Sequence, residues 1–241
     1  MKFITATALS LSLLVITGCS GQSPGNDVKR ADVEQIIQEY LMENPEILRE
    51  ALIELDKKED RAAIAAVSDA LFKDPRDVSV GPKNAKVTVV EFFDYNCGFC
   101  KTSSEWLKGV MDKYPDDVWV VFKELPILDG RTKTSRNAAK AALAAARQGK
   151  YPTIHFSLMA ERSLTEDRVF QIMEKAGLDV EQLKEDMKDP KLDKQLQDGL
   201  LLANRIPSLT GTPFFVINDD FIAGADADAL DAMLQKALKE S

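Results

Sequence analysis

The hydrophobic rhythm of the chain changes several times along its length. Behind Lys2 a largely apolar run extends from Phe3 to Ile16. It is too short to span a bilayer comfortably and reads as the core of a signal peptide, residues 1–18. Residues 19–27 have no apolar period; Ser20 to Asp27 is rich in Ser, Gly, Pro and Asn, a flexible tether reaching roughly 30 Å when extended. From Val28 to Asp74 the period is helical. Val33, Ile36, Ile37, Tyr40 and Leu41 recur on one face, with Glu34, Gln38 and Glu39 opposite. Asn44-Pro45 interrupts that helix, Asn44 as the expected cap of the next and Pro45 at its first position, where the missing N–H needs no partner. Ile47, Leu48, Ala51, Leu52 and Leu55 form a second stripe, and Arg61 to Phe72 an Ala-rich third segment ending before Asp74-Pro75. The stripes must be buried, either against the domain that follows or against their counterparts in other chains. The second alternative is preferred: a homodimer or homotrimer formed through residues 28–75. No long repeat or sustained heptad points to a long coiled coil.

Residues 76–241 alternate between strand and helix, an α/β pattern. Val87 to Phe93 is β-rich and almost continuously apolar, as in a strand covered on both faces. Asp94-Tyr95-Asn96 turns the chain, and Cys97-Gly98-Phe99-Cys100 opens a helix running through Trp106, Leu107 and Val110. Val118 to Leu125 reads as a strand and Ala138 to Ala146 as a buried or half-buried helix. Gly211 to Ile217 is a strand entered through Pro213, a position that admits a cis bond. Phe221 to Gly224 forms a short strand, and Asp226 caps a last helix through Leu238.

Composition narrows the function. The chain has 241 residues, 45% hydrophobic and 29% charged, with a formal charge of −8. That charge disfavours nucleic acid and electrostatic docking on anionic lipid. Cys19, Cys97 and Cys100 are too few for a disulfide scaffold, and a lone CxxC lacks the second pair of a structural zinc site. No metal and no cofactor are expected.

The chemistry sits where the strand gives way to the helix. A thiolate at a helix N-terminus faces unpaired N–H groups and the positive end of the dipole, which lowers its pKa. Cys97 is therefore the expected nucleophile. Cys100, three residues on, is the buried resolver able to close a disulfide with it. Glu91 interrupts an apolar strand. Buried, it would have a raised pKa and could pass protons to and from the inner thiol through water; at an edge it would be solvated. His155, the only histidine, reads as structural. One of the neighbours Lys123 and Glu124 falls beneath the site, and strand alternation leaves open which.

Two resemblances extend this reading. Ile16-Thr17-Gly18-Cys19 resembles the lipobox of bacterial lipoproteins, which implies cleavage before Cys19, lipidation there and a membrane anchor. Ser20 in place of Asp implies transport to the outer membrane, facing the periplasm. The segment Val89 to Lys101, with Gly211-Thr212-Pro213, resembles the DsbA-like branch of the thioredoxin superfamily. The resemblance implies a thioredoxin-like fold with a helical insertion at about 127–205 and an N-terminal helical appendage like that of oligomeric members. It assigns Pro213 as a cis-proline facing the cysteines, Thr212 as a contact for substrate backbone and Glu91 as the buried glutamate. The dipeptide is Gly98-Phe99, where strongly oxidising members have Pro-His. The implied activity is thiol–disulfide exchange, as isomerase or reductase, on exported proteins with cysteines, served by a membrane redox partner. The alternatives are a DsbA-type oxidase or a non-catalytic surface lipoprotein or chaperone.

Overall fold

Strands β1 (Val78–Val80), β2 (Val87–Phe93), β3 (Val118–Glu124), β4 (Phe214–Ile217) and β5 (Asp220–Ala223) form one sheet in the order β1-β3-β2-β4-β5. The computed structural model describes residues 29–240; the expected signal peptide, tether and Cys19 lie outside them. Strands β2 and β3 run parallel, and the other neighbours pair antiparallel. Alternation sorts the side chains of β2 into two cores. Val87, Val89 and Phe93 join Val120, Phe122, Phe215 and Ile217 on one face, while Val90 and Phe92 join Val121, Phe214 and Val216 on the other. Both faces are covered, which is why the strand reads as an unbroken apolar run.

By contact the chain divides into two units, 1–51 and 52–241. In the first, α1 (Arg30–Glu43) buries no residue, and Ile36 and Ile37 are 61% and 51% exposed. The Asn44 amide, expected to cap the next helix, instead donates to the Tyr40 carbonyl at 2.8 Å and closes α1. Helix α2 (Pro45–Ala66) then continues through the charged stretch Asp56 to Asp60, which holds no Gly or Pro. The separate third helix expected from Arg61 is thus the end of α2, followed by the short α3 (Ser68–Phe72).

In the second unit Ile64 and Leu71 enter the core on the Phe92 face. Helix α4 (Gly98–Lys113) connects β2 to β3. Six helices, α5 (Asp129–Thr132), α6 (Ser135–Arg147), α7 (Tyr151–Met159), α8 (Glu166–Lys175), α9 (Val180–Asp186) and α10 (Pro190–Ala203), stand between β3 and β4. The last helix, α11 (Ala227–Glu240), starts where Asp226 accepts from the amides of Asp228 and Ala229. Residues of α4, α6, α7 and α11 pack on the Phe93 face, so β2 points its C-terminal end into the junction of sheet and inserted helices.

Candidate functional site

The site begins just past the end of β2. Asp94 is buried, and its carboxylate accepts from the amides of Asn96 and Leu128 at 2.8 Å each and from the Ser135 hydroxyl at 2.7 Å. The Asn96 amide donates toward the hydroxyls of Thr134 and Ser135 at 3.0 Å. The turn is therefore tied to the start of the helical insertion before the first cysteine is reached.

Cys97 is the N-cap of α4, with extended backbone. It retains 8% of its surface, whereas Cys100 retains none, and both are free thiols. The Cys97 thiol donates to the Thr212 carbonyl at 3.1 Å, which places the β4 entry loop beside it. The Thr212–Pro213 bond is cis. A hydrogen bond from the Cys100 thiol holds the Cys97 pKa down to about 5, aided by the Thr212 side chain and the N–H groups of Cys100 and Phe99, against the opposing effect of burial. Burial pushes Cys100 the other way, far above an ordinary thiol. The two sulfurs are thus set apart as an ionised and a protonated partner.

Glu91 lies on the α4 face of the sheet, fully buried between Phe122 and Phe215 of the adjoining strands. Its Oε1 is 3.1 Å from the Ser103 hydroxyl, and its Oε2 has no protein partner. Burial raises its pKa to about 8. Glu124 shares that face, accepting from the hydroxyls of Tyr95 at 2.9 Å and Tyr151 at 2.7 Å, and burial raises its pKa too. Lys123 points to the opposite face, bound to Asp77 and to the carbonyl of Ala70. Alternation therefore puts Glu124, not Lys123, on the site's side. His155 is buried among Phe93, Tyr95, Phe122 and Tyr151, with Nδ1 3.2 Å from the Tyr95 hydroxyl.

Residues 88–238 match the family model of the DSBA-like thioredoxin domain. The chain belongs to that family. A second model, the copper resistance protein ScsC N-terminal domain, matches residues 30–63. A thioredoxin-like oxidoreductase from Silicibacter pomeroyi DSS-3 is 38% identical, with a TM-score of 0.64 over 71% of this chain and 97% of that one. A linker-deletion mutant of Proteus mirabilis ScsC is 29% identical, with a TM-score of 0.70 over 91% of this chain and 100% of that one. A periplasmic thioredoxin-like protein from Salmonella enterica serovar Typhimurium is 34% identical, with a TM-score of 0.62 over 72% and 97%. The Na(+)/H(+) antiporter NhaA 3 of Salinispora tropica is 31% identical over 144 residues, 59% of this chain but 22% of the antiporter. The chain spans about a quarter of the length of the curated relatives it matches.

The chain has the thioredoxin-like fold expected of the DSBA-like family. The structure brings Cys97, Cys100 and Thr212 together, with Pro213 next to Thr212, and puts Glu91 behind Cys100 on the α4 face. Sequence reasoning passed over Ser103, Asp94 and Asn96. Ser103 had a detectable signal: it stands three residues after Cys100, on the helical face that continues to Leu107 and Val110. Asp94 and Asn96 pair with each other across the turn, but their remaining partners, Leu128, Thr134 and Ser135, lie far along the chain and left no signal.

Proposed function

We propose that the protein is a disulfide isomerase or reductase of exported proteins, held as an oligomer by its N-terminal helices. The observation that carries this reading is the apolar face of α1 and α2. Ile36, Tyr40, Leu48 and Leu52 are 61%, 55%, 49% and 60% exposed, more apolar surface than two neighbouring helices normally leave in water. A second and third copy of the same face would cover it. Several sites facing a shared space then hold a misfolded chain and raise the local concentration of thiols around it. In each site Cys97 is the nucleophile, Cys100 the resolver, Glu91 the proton acceptor behind Cys100, and Thr212 with Pro213 the seat for substrate backbone. Exchange begins when the Cys97 thiolate attacks a substrate disulfide and forms a mixed disulfide. Residues 1–18 act as signal peptide and Cys19 as lipid anchor, the tether of 19–27 placing the body in the periplasm at the outer membrane. A membrane partner keeps the cysteine pair reduced.

Light scattering of the full-length protein and of a form beginning at residue 76 tests the assembly, and scrambled ribonuclease tests the activity. The full chain is expected to be dimeric or trimeric and to isomerise. The shorter form is expected to be monomeric, reducing insulin while isomerising poorly. A monomeric full chain at micromolar concentration overturns the reading. Mass spectrometry of the mature N-terminus tests the anchor, with acylated Cys19 expected.

The low pKa of Cys97 favours a second reading, a disulfide oxidase. A stabilised thiolate is a good leaving group and makes the oxidised pair a stronger oxidant. The reduction potential of the pair decides between them: a value near that of strong periplasmic oxidants, about −120 mV, selects the oxidase.

A further inference from the structure

Ser103 is a helix serine with 1% of its surface exposed, and its hydroxyl makes two contacts of 3.1 Å, to Glu91 Oε1 and to the carbonyl of Cys100. A hydroxyl has one proton to donate and lone pairs to accept. It cannot donate to both oxygens at once, and Glu91 decides which one it serves. Ionised Glu91 takes the Ser103 proton. Protonated Glu91 donates to Ser103, which then turns its own proton to the Cys100 carbonyl. Either way the carboxyl stays tied to the turn of α4 that carries Cys100, and Oε2 is left over.

We infer that Ser103 is a positioning residue for the resolving step, a hydroxyl rotor that keeps Glu91 in register with Cys100 in both protonation states. The inference rests on the proposed role of Glu91 as proton acceptor. In that step the Cys100 S–H bond breaks and its proton passes to the Glu91 carboxylate. The Cys100 thiolate attacks the Cys97 sulfur and a Cys97–Cys100 disulfide forms. The Cys97–substrate S–S bond breaks, its electron pair leaves with the substrate sulfur, and a proton from water completes that thiol. The cysteine pair is oxidised by two electrons and the substrate disulfide reduced by the same two.

The titratable groups around Glu91 are Cys97 at the N-cap of α4, Cys100 on α4, Tyr95 beyond β2 and Glu124 at the end of β3. None of them is a cation, so Ser103 is the one side chain hydrogen-bonded to the Glu91 carboxylate among the described residues. Its hydrogen bond favours ionised Glu91, and removing it pushes the Glu91 pKa higher still.

The test uses the full-length protein and a peptide joined to Cys97 as a mixed disulfide, with peptide release followed from pH 5 to 10. Ser103→Ala is expected to slow release at pH 7 about tenfold, part of the roughly 10²–10⁴ that a positioned proton acceptor contributes, and to move the inflection to higher pH. Alkylation of Cys97 against pH is expected to stay where it is in the parent. Ser103→Thr retains the hydroxyl and is expected to restore release. An unchanged rate and inflection in Ser103→Ala overturns the inference, as does a parallel shift in Cys97 alkylation, which marks a general disturbance of the helix. Glu91→Gln separates the two levels. If that variant leaves the profile unmoved, the Glu91 reading fails and Ser103 with it; if it shifts the profile while Ser103→Ala does not, only the rotor fails.

Discussion

At neutral pH an ordinary cysteine, with pKa about 8.5, is mostly protonated, whereas Cys97 at about 5 is almost entirely thiolate. Iodoacetamide should therefore modify Cys97 with a midpoint near pH 5, long before the buried Cys100 reacts. Equal rates at the two thiols would remove the division of labour between them. Cys100→Ser should accumulate mixed disulfides that non-reducing gels detect, since no second thiol remains to release the substrate. Glu91 works against the fold in a definite pH window. Its folded pKa of about 8 stands above the ordinary 4.5, so the folded state keeps a proton that the unfolded state loses. Stability falls as pH rises from about 4.5 to about 8 and is level beyond. Glu91→Gln removes that slope, so thermal melts should show the variant gaining on the parent from pH 5 to 8 while losing resolving activity. A fold tolerates such a residue where its chemistry is used.

Among the elements, the turn after β2 is held partly by its own Asn96 amide and partly by Leu128 and Ser135 at the start of the helical insertion. Asp94 satisfies two backbone amides and a hydroxyl, all buried or half-buried. Asp94→Ala leaves those donors without an acceptor at about 1–3 kcal/mol each, a loss of roughly 3–5 kcal/mol after partial relaxation. Urea denaturation should show that loss, and Cys97 alkylation should shift toward the pH of a free thiol as the helix start loosens. An unchanged midpoint would mean the turn is held by other contacts. The same contrast explains what was legible beforehand. Strands β2 and β3 were visible because both faces are covered and the run stays apolar. Helix α11 was visible because Asp226 caps it locally. The three-residue β1 was not, since Val78 to Val80 are only half-buried and pair with Val120 to Phe122 forty residues on. The continuity of α2 was missed because a charged stretch resembles a linker, although every residue in it accepts a helix. Cys97, Cys100, Glu91, Thr212 and Pro213 could be named from motif and placement. Ser103 was within reach from its spacing to Cys100, but the role of Asp94 was not, because Leu128 and Ser135 are brought to it only by folding.

For the molecule as a whole, the buried groups set opposing pH limits. His155 is neutral in the fold, with its pKa pushed down from 6.5 to about 3 by burial. Below about pH 6.5 the unfolded chain binds a proton that the folded chain refuses, so stability falls as pH drops through that window toward 3. His155→Phe retains the aromatic packing and should flatten the acid limb of a Tm-against-pH curve. An acid limb as steep as the parent's would assign it to carboxylates instead. The order of the sheet has a consequence in time. Strand β2, which leads through the Asp94 turn to the cysteines, pairs on one side with the nearby β3 but on the other with β4, Val89 opposite Ile217. A pairing so distant along the chain is slow to form, because the loop must close before any contact repays its entropy. During synthesis both thiols emerge well before the segment that flanks Cys97 at Thr212 exists. A nascent chain therefore carries its two sulfurs for a period without the Thr212 contact, and the site is completed only when β4 docks beside Cys97.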